Sequence, residues 1–265
     1  MAARMVLLAA VPMMAHAALP VNDAPRPVLN VPKATIKPSL LAEPGDPAWA
    51  RAVELPPMTP SLGAKSPVPP SLKTKVFVLW DPAYLYVRFV CEDEEIYSPV
   101  HGRNAPIYEG DAVEVFVDPV GDARQWMELE FNADDDVFQQ LFLCTTTEPK
   151  TTSGLSLTDD VMNHDVWQFL PWELPGLISK GRRLTSAPHQ QDWIVDMAIP
   201  AKDLLRRLGL KQFRPMPLRA DFLRYKWVPS GSGPQRELLP MNWSPVVLGC
   251  PHFSPAAYGY LNLVE

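Results

Sequence analysis

Four successive segments between Thr74 and Asn132 alternate apolar and polar residues with a period of two. This alternation is typical of antiparallel strands that bury one face. A one-residue slip in register would bury Glu114, Glu128 and Glu130, so the pattern predicts these side chains on the outer, polar face. The predicted core face of the last two segments consists of Val113, Val115, Val117, Met127, Leu129 and Phe131.

Further strand patterns recur at residues 192–199, 218–227 and 257–264. Residues 201–209, AKDLLRRLG, predict one short helix, because Pro200 suits a helix start and Gly209 suits a helix end. About ten strands and a single short helix predict an all-β protein, a two-sheet antiparallel β-sandwich of the jelly-roll or immunoglobulin-like type.

The first 17 residues have the features of a signal peptide. Arg4 provides a positive charge, residues 5–14 form a short apolar run, and Ala15-His16-Ala17 has the small-x-small form of a cleavage site. The run is too short to span a bilayer. We therefore expect a secreted or periplasmic protein with no integral membrane segment in the mature chain. The alternative is a helical tail on a cytoplasmic protein.

The remaining chain divides into two parts. Residues 18–44 are rich in proline and lack periodicity, and we expect them to lie along the edge of a β-sandwich domain formed by residues 45–265. The net charge of −6 gives no basic field, which argues against nucleic acid as a partner.

Several polar and aromatic residues suit the recognition of sugars. Aromatic rings cover the C–H faces of a pyranose, while arginine donates to adjacent hydroxyls and carboxylates accept from them. The candidate carbohydrate-binding residues are Arg103, Glu114, Trp126, Glu130, Arg219, Asp221 and Trp243. The alternatives are that the glutamates face solvent, that the charged residues pair across strands, and that the tryptophans are core. Trp167 and Trp172 are further clamp candidates, because they lie in a loop-like insertion.

Seven motifs carry a family resemblance: GDPAWARAVEL, LWDPAYLYVRFVCED, YEGDAVEVFVDP, WMELEFNADDD, DWIVDMAIPAKDL, LRADFLRYKW and the closing WSP…HFSPAAYGYLNL, in which His252 matches a family histidine with a structural role. In this order they resemble the family 9 carbohydrate-binding modules and their relatives in secreted bacterial proteins, from about residue 41 to the end of the chain. The resemblance implies a non-catalytic module that clamps a sugar between two tryptophans beside charged groups. Arg103 and Glu114 match charged positions of the family, whereas Asp221 stands where the family more often has asparagine.

The resemblance also implies a context in carbohydrate catabolism. The expected partners are a mono- or oligosaccharide and polysaccharide-degrading enzymes. One alternative is a hydrolytic protein, which needs two carboxylates flanking one bond, although the chain has no GxSxG, HExxH or P-loop motif. Another is a structural or haem-binding relative, with Met127, Met197 or Met241 available as an iron ligand.

No cofactor is predicted. Structural calcium stays an option because family members can hold it and because Asp134, Asp135 and Asp136 form an acidic run. Such a run is more often an ordinary turn.

Export is directly testable. We expect the mature protein from its native host to lack the residues up to about Ala17, because the charged start, apolar run and cleavage site coincide. N-terminal sequencing of the purified protein checks this, and an intact Met1 in a cytosolic fraction would contradict it.

Overall fold

The computed structural model describes residues 26–60, 69–144, 167–187, 190–244, 252 and 255–265. The predicted signal peptide lies outside these residues. Within them the chain is mostly strand, in two packed sheets, which confirms the predicted all-β sandwich. No helix among the described residues is long and apolar enough to cross a membrane.

Fourteen strands are defined in the described residues. In chain order they are β1 (Val28–Pro32), β2 (Val53–Glu54), β3 (Thr59–Pro60), β4 (Thr74–Trp80), β5 (Tyr84–Cys91), β6 (Ala112–Asp118), β7 (Gln125–Phe131), β8 (Val137–Cys144), β9 (Trp167–Pro171), β10 (Ile178–Ala187), β11 (Gln190–Pro200), β12 (Met216–Pro229), β13 (Arg236–Asn242) and β14 (Gly259–Val264). The predicted short helix is α1 (Ala201–Leu204). Single 3₁₀ turns occupy Pro47–Arg51, Pro70–Leu72, Ile107–Glu109, Arg206–Leu208 and Pro255–Ala257.

The larger sheet has nine strands and the smaller sheet has five. The larger one runs β1-β14-β12-β6-β7-β8-β9, with β13 paired to β12 and β3 paired to β13, and the smaller one runs β10-β11-β5-β4-β2. All pairings are antiparallel except that β1 runs parallel to β14. Because β1 lies within residues 18–44, the sandwich begins before residue 45, and the proline-rich segment supplies its edge strand.

The two sheets enclose one apolar core. The predicted inward set from Val113 to Phe131 is fully buried there, which confirms the register of β6 and β7. Met127 and Met197 belong to this core as packing residues. Trp80 closes one edge, since its indole N–H lies 3.1 Å from the Val31 carbonyl and 2.9 Å from the Val264 carbonyl.

The outer face of the smaller sheet is also covered. Arg88 of β5 and Asp196 of β11 lie opposite each other and form two buried bonds of 2.6 and 2.8 Å. The indole ring of Trp49 stacks on the Arg88 guanidinium at 4.8 Å, and the Ala42 amide donates to Asp196. The chain before β2 therefore caps this sheet, and Arg88 pairs with Asp196 rather than with a glutamate of the larger sheet.

The acidic turn after β7 is held by protein partners. Asp134 pairs with Arg183, Asp135 accepts from Lys180, and Asp136 accepts from the Gly102 amide. These bonds join the turn to β10 and to the loop before β6. The interpretation of the aspartates as a structural turn fits this arrangement.

A charge placed in the core should unfold the sandwich. We expect Val115→Asp to lower the free energy of unfolding by about 3 kcal/mol or more, because the carboxylate would have no partner between the sheets. Urea denaturation measures this effect. Val28→Asp, on the exposed edge strand, is the control and should change stability little. A Val115→Asp protein as stable as the control would refute the register.

Candidate functional site

The outer face of the central strands β6 and β7 of the larger sheet is buried, contrary to prediction. Glu114, Glu128 and Glu130 do point away from the core, as the alternation required, but they are only 0–2% exposed. Glu114 lies opposite Glu130 across β6 and β7. The predicted solvent-facing surface is therefore a second interior, because side chains from distant parts of the chain cover it.

These three glutamates and His252 form what we call the acidic cluster. The His252 Nε2 atom lies 2.8 Å from Glu128 Oε1 and 4.0 Å from Glu114 Oε2. One oxygen of each carboxylate and one imidazole nitrogen lie within 4.8 Å of one another. The family resemblance marks His252 only as a structural residue of the closing motif, and its position beside the glutamates was not predicted because it stands more than a hundred residues from them.

Burial governs the electrostatics of the cluster. Loss of water raises the pKa of Glu114 to about 8, and the positive His252 opposes this rise. Burial, together with the nearby charges of Glu114 and Glu128, also raises the pKa of Glu130 well above its usual range. Among the described residues, neither oxygen of Glu114 or Glu130 accepts from an amide, a hydroxyl, a lysine or an arginine. With these raised pKa values, Glu114 and Glu130 hold protons near neutral pH in place of the cationic partners that the described residues do not supply.

Aromatic rings enclose the cluster. The His252 ring meets Phe116 edge-on at 5.0 Å, with Phe142 and Tyr225 slightly farther away. Trp126 stacks on Phe142 at 5.3 Å, and its indole N–H donates to the His252 carbonyl at 2.9 Å. Trp126 is fully buried, so it cannot cover a sugar ring in this structure; it holds His252 in place instead.

Asp221 and Arg219 have bracing roles on the same sheet face. Asp221 Oδ1 accepts from the amides of Phe222 and Ser244 at 2.8 Å each, which secures the chain after β13. Arg219 donates twice to the Tyr258 carbonyl and lies over the Tyr260 ring at 4.4 Å. Asp221 is sealed from solvent, so the prediction that it contacts ligand does not fit its position.

Trp243 and Arg103 lie away from the cluster. Trp243 is a core residue, packed on Phe222 and against Gly259, where an added Cβ would lie 2.5 Å from the indole ring. Arg103 is exposed and forms a two-bond pair with Glu173, at 3.1 and 2.9 Å. The seven predicted site residues therefore do not assemble into one sugar site.

An open cleft lies where β7 and β8 approach the end of α1. Its volume is about 440 Å³, within the range of small-ligand sites. The half-buried ring of Trp172 forms part of its wall, and Arg207 on its rim pairs with Asp122 at 2.7 Å. The lining residues are Gln125, Met127, Leu141, Trp172, Glu173, Pro175, Asp203, Leu204, Arg206 and Arg207. Glu173 links this cleft to the predicted Arg103. The side chain of Trp167 lies outside the described residues.

The family described as "Carbohydrate family 9 binding domain-like" matches residues 43–206. The chain belongs to this family. The match covers more than half of the chain, and it includes the three glutamates and Trp172 but not His252. Membership of a family of binding domains agrees with the prediction that the chain is a binding module rather than an enzyme.

Solved structures share the fold of this family 9-like domain at low sequence identity. A candidate carbohydrate-binding protein of Bacteroides uniformis has a TM-score of 0.63 and 15% identity, covering 91% of this chain and all of that one. A family 9 module of Caldicellulosiruptor kristjanssonii, in complex with cellotriose, has a TM-score of 0.55 and 14% identity, with 89% and 93% coverage. A family 9 module of the same organism, in complex with glucose, has a TM-score of 0.54 and 15% identity. The match covers 89% of this chain and 96% of that one. No curated protein matches the chain significantly.

Asp221 gives this family 9-like domain a pH-dependent stability. Burial raises its pKa from 3.8 to about 7, so the folded protein retains a proton that the unfolded chain releases. The raised pKa therefore adds to the free energy of unfolding below pH 4, and this contribution disappears as the pH rises towards 7. The loss is roughly 1.4 kcal/mol for each unit by which the folded pKa exceeds the unfolded one. We expect Asp221→Asn to lose less stability than the native protein between pH 5 and 8, as measured by urea denaturation.

The control for this experiment is Glu237→Gln, which alters an exposed carboxyl. It should reproduce the native pH dependence. If Asp221→Asn does the same, Asp221 is not the group responsible.

Proposed function

We propose that the protein is a non-catalytic carbohydrate-binding domain whose sugar lies in the cleft beside Trp172. The observation that carries the proposal is that the half-buried indole of Trp172 lines one open cleft together with carboxylates and guanidinium groups. An indole covers the apolar face of a pyranose, and the planar charged groups suit adjacent hydroxyls. Membership of the family 9-like binding domains supports the same function.

Accessibility favours the cleft over the acidic cluster. A pyranose needs an exposed aromatic face and room for its ring, whereas Glu114 and Trp126 are both 0% exposed. Trp172 is half-buried and borders solvent. Glu173 and Arg103, already paired beside the cleft, offer acceptors and donors to a sugar residue that extends past its rim.

The signal-peptide pattern of the first 17 residues supports a location outside the cytoplasm. An exported domain of this kind would hold a saccharide outside the cytoplasm, alongside enzymes that degrade polysaccharides. Glucose and cellotriose are the first ligands to test, because modules of the same fold have been crystallised with them. Xylo- and pectic oligosaccharides complete the panel.

Titration calorimetry of the full chain tests the site. We expect Trp172→Ala to weaken the binding of whichever saccharide binds by about tenfold or more, because the sugar face would lose its aromatic partner. The matched control is Tyr108→Ala, which removes another exposed aromatic side chain and should bind normally. Samples are also assayed for newly released reducing ends, which a pure binder does not produce.

Three outcomes would contradict the proposal. Absence of binding to every saccharide at millimolar concentration would reject carbohydrate recognition. If Trp172→Ala binds the saccharide normally and Glu114→Gln does not bind it, the sugar site lies on the outer sheet face instead of in the cleft. Release of reducing ends that depends on a carboxylate would identify a hydrolase.

A further inference from the structure

We propose that Glu114, Glu128, Glu130 and His252 bind a divalent transition-metal ion in the buried acidic cluster. Four possible donors, three carboxylate oxygens and one imidazole nitrogen, lie within 4.8 Å of one another. Ions such as Zn²⁺ bind these atoms at about 2.0–2.2 Å, so a small inward movement of the side chains would complete a coordination sphere. This inference does not depend on the proposed sugar cleft.

The carboxylate oxygens require a positive partner. Within the described part of the chain, no amide, hydroxyl, lysine or arginine donates to either oxygen of Glu114 or of Glu130, and each residue is at most 1% exposed. An isolated buried carboxylate is costly, and several together repel one another. Proton sharing among the carboxyls would reduce the charge, but each proton satisfies only one oxygen pair. A divalent ion satisfies several oxygens at once.

Other buried carboxylates on this protein show the contrast. Asp93 and Asp111 are as deeply buried, but Lys226 contacts them at 2.9 and 2.7 Å, and Arg224 reaches Asp93 at 2.7 Å. Asp196 has Arg88. Among the residues that the structure describes, the acidic cluster has three carboxylates facing one imidazole and no lysine or arginine in contact distance.

The donor set selects the class of ion. An imidazole nitrogen with carboxylate oxygens suits Zn²⁺, Mn²⁺ or a similar ion, whereas Ca²⁺ prefers six to eight oxygen ligands. The His252 Nε2 atom already faces the carboxylates, at 2.8 Å from Glu128. The indole of Trp126 holds the backbone of His252, and Phe116 and Phe142 limit the access of water. Such support from surrounding groups is usual around protein metal ligands.

The ion would join distant parts of the chain. Glu114 belongs to β6, Glu128 and Glu130 belong to β7, and His252 comes from the segment between β13 and β14. Coordination would therefore hold His252 against β6 and β7. Its role would be structural, so metal should raise thermal stability without being required for chemistry.

The test uses the full chain after treatment with EDTA and removal of the chelator. Zn²⁺, Mn²⁺, Ca²⁺ and Mg²⁺ are added separately, and binding is followed by calorimetry and by the thermal midpoint. We expect one equivalent of Zn²⁺ or Mn²⁺ to bind and to raise the midpoint, with Ca²⁺ and Mg²⁺ much weaker. In Glu114→Gln and in His252→Ala the affinity should fall at least about tenfold.

The metal-free midpoint separates metal binding from a purely structural role. Glu114→Gln removes one of the mutually repelling carboxylates, so its metal-free midpoint should equal or exceed the native one while the metal-induced rise is lost. The control is His101→Ala, which alters an exposed histidine that also contacts aspartates, Asp134 and Asp136. It should bind metal normally.

Two results would overturn the proposal. If none of the four ions binds stoichiometrically, the carboxyls are neutralised by shared protons instead of by a metal. Undiminished binding by both Glu114→Gln and His252→Ala would mean that the metal binds elsewhere.

Discussion

The burial of both faces of the central strands of the larger sheet is the constraint on which the rest of the structure depends. One face of β6, β7 and β12 packs in the apolar core, and the opposite face is covered by aromatic residues and by His252. Water therefore cannot hydrate the polar side chains of these strands. Each polar side chain there must find a partner inside the protein or from a ligand.

The protein meets this requirement in two ways. Most buried charges have partners supplied by neighbouring strands or loops, as in the Arg88–Asp196 pair and the network of Arg224 and Lys226 with Asp93. Asp221 accepts two backbone amides, and burial raises its pKa to about 7, so it holds its proton to a higher pH than an exposed aspartate does. The acidic cluster differs because its oxygens outnumber its donors. That imbalance distinguishes a candidate ion site from an ordinary bracing network.

Alternation along the chain was enough to predict the sandwich, the core of β6 and β7, and most of the strands, but not β1, β9 or β13. It could not predict which outer face would be covered, because the cover comes from residues remote in sequence. Glu114 and Trp126 were assigned to the correct face but to the wrong environment for this reason. The closing motif indicates a structural role for His252 but not which residues it contacts, and Trp243 stands in a loop-like sequence yet packs in the core. The motif order predicted the family correctly, since it reflects many positions together rather than any one contact.

The most direct measurement is a crystal structure of the protein grown with Mn²⁺ and a saccharide that binds it, with anomalous diffraction data to locate the metal. The account predicts an anomalous peak between Glu114, Glu128, Glu130 and His252, and sugar density against Trp172. A sugar ring seated on the glutamates, with no metal between them, would contradict it.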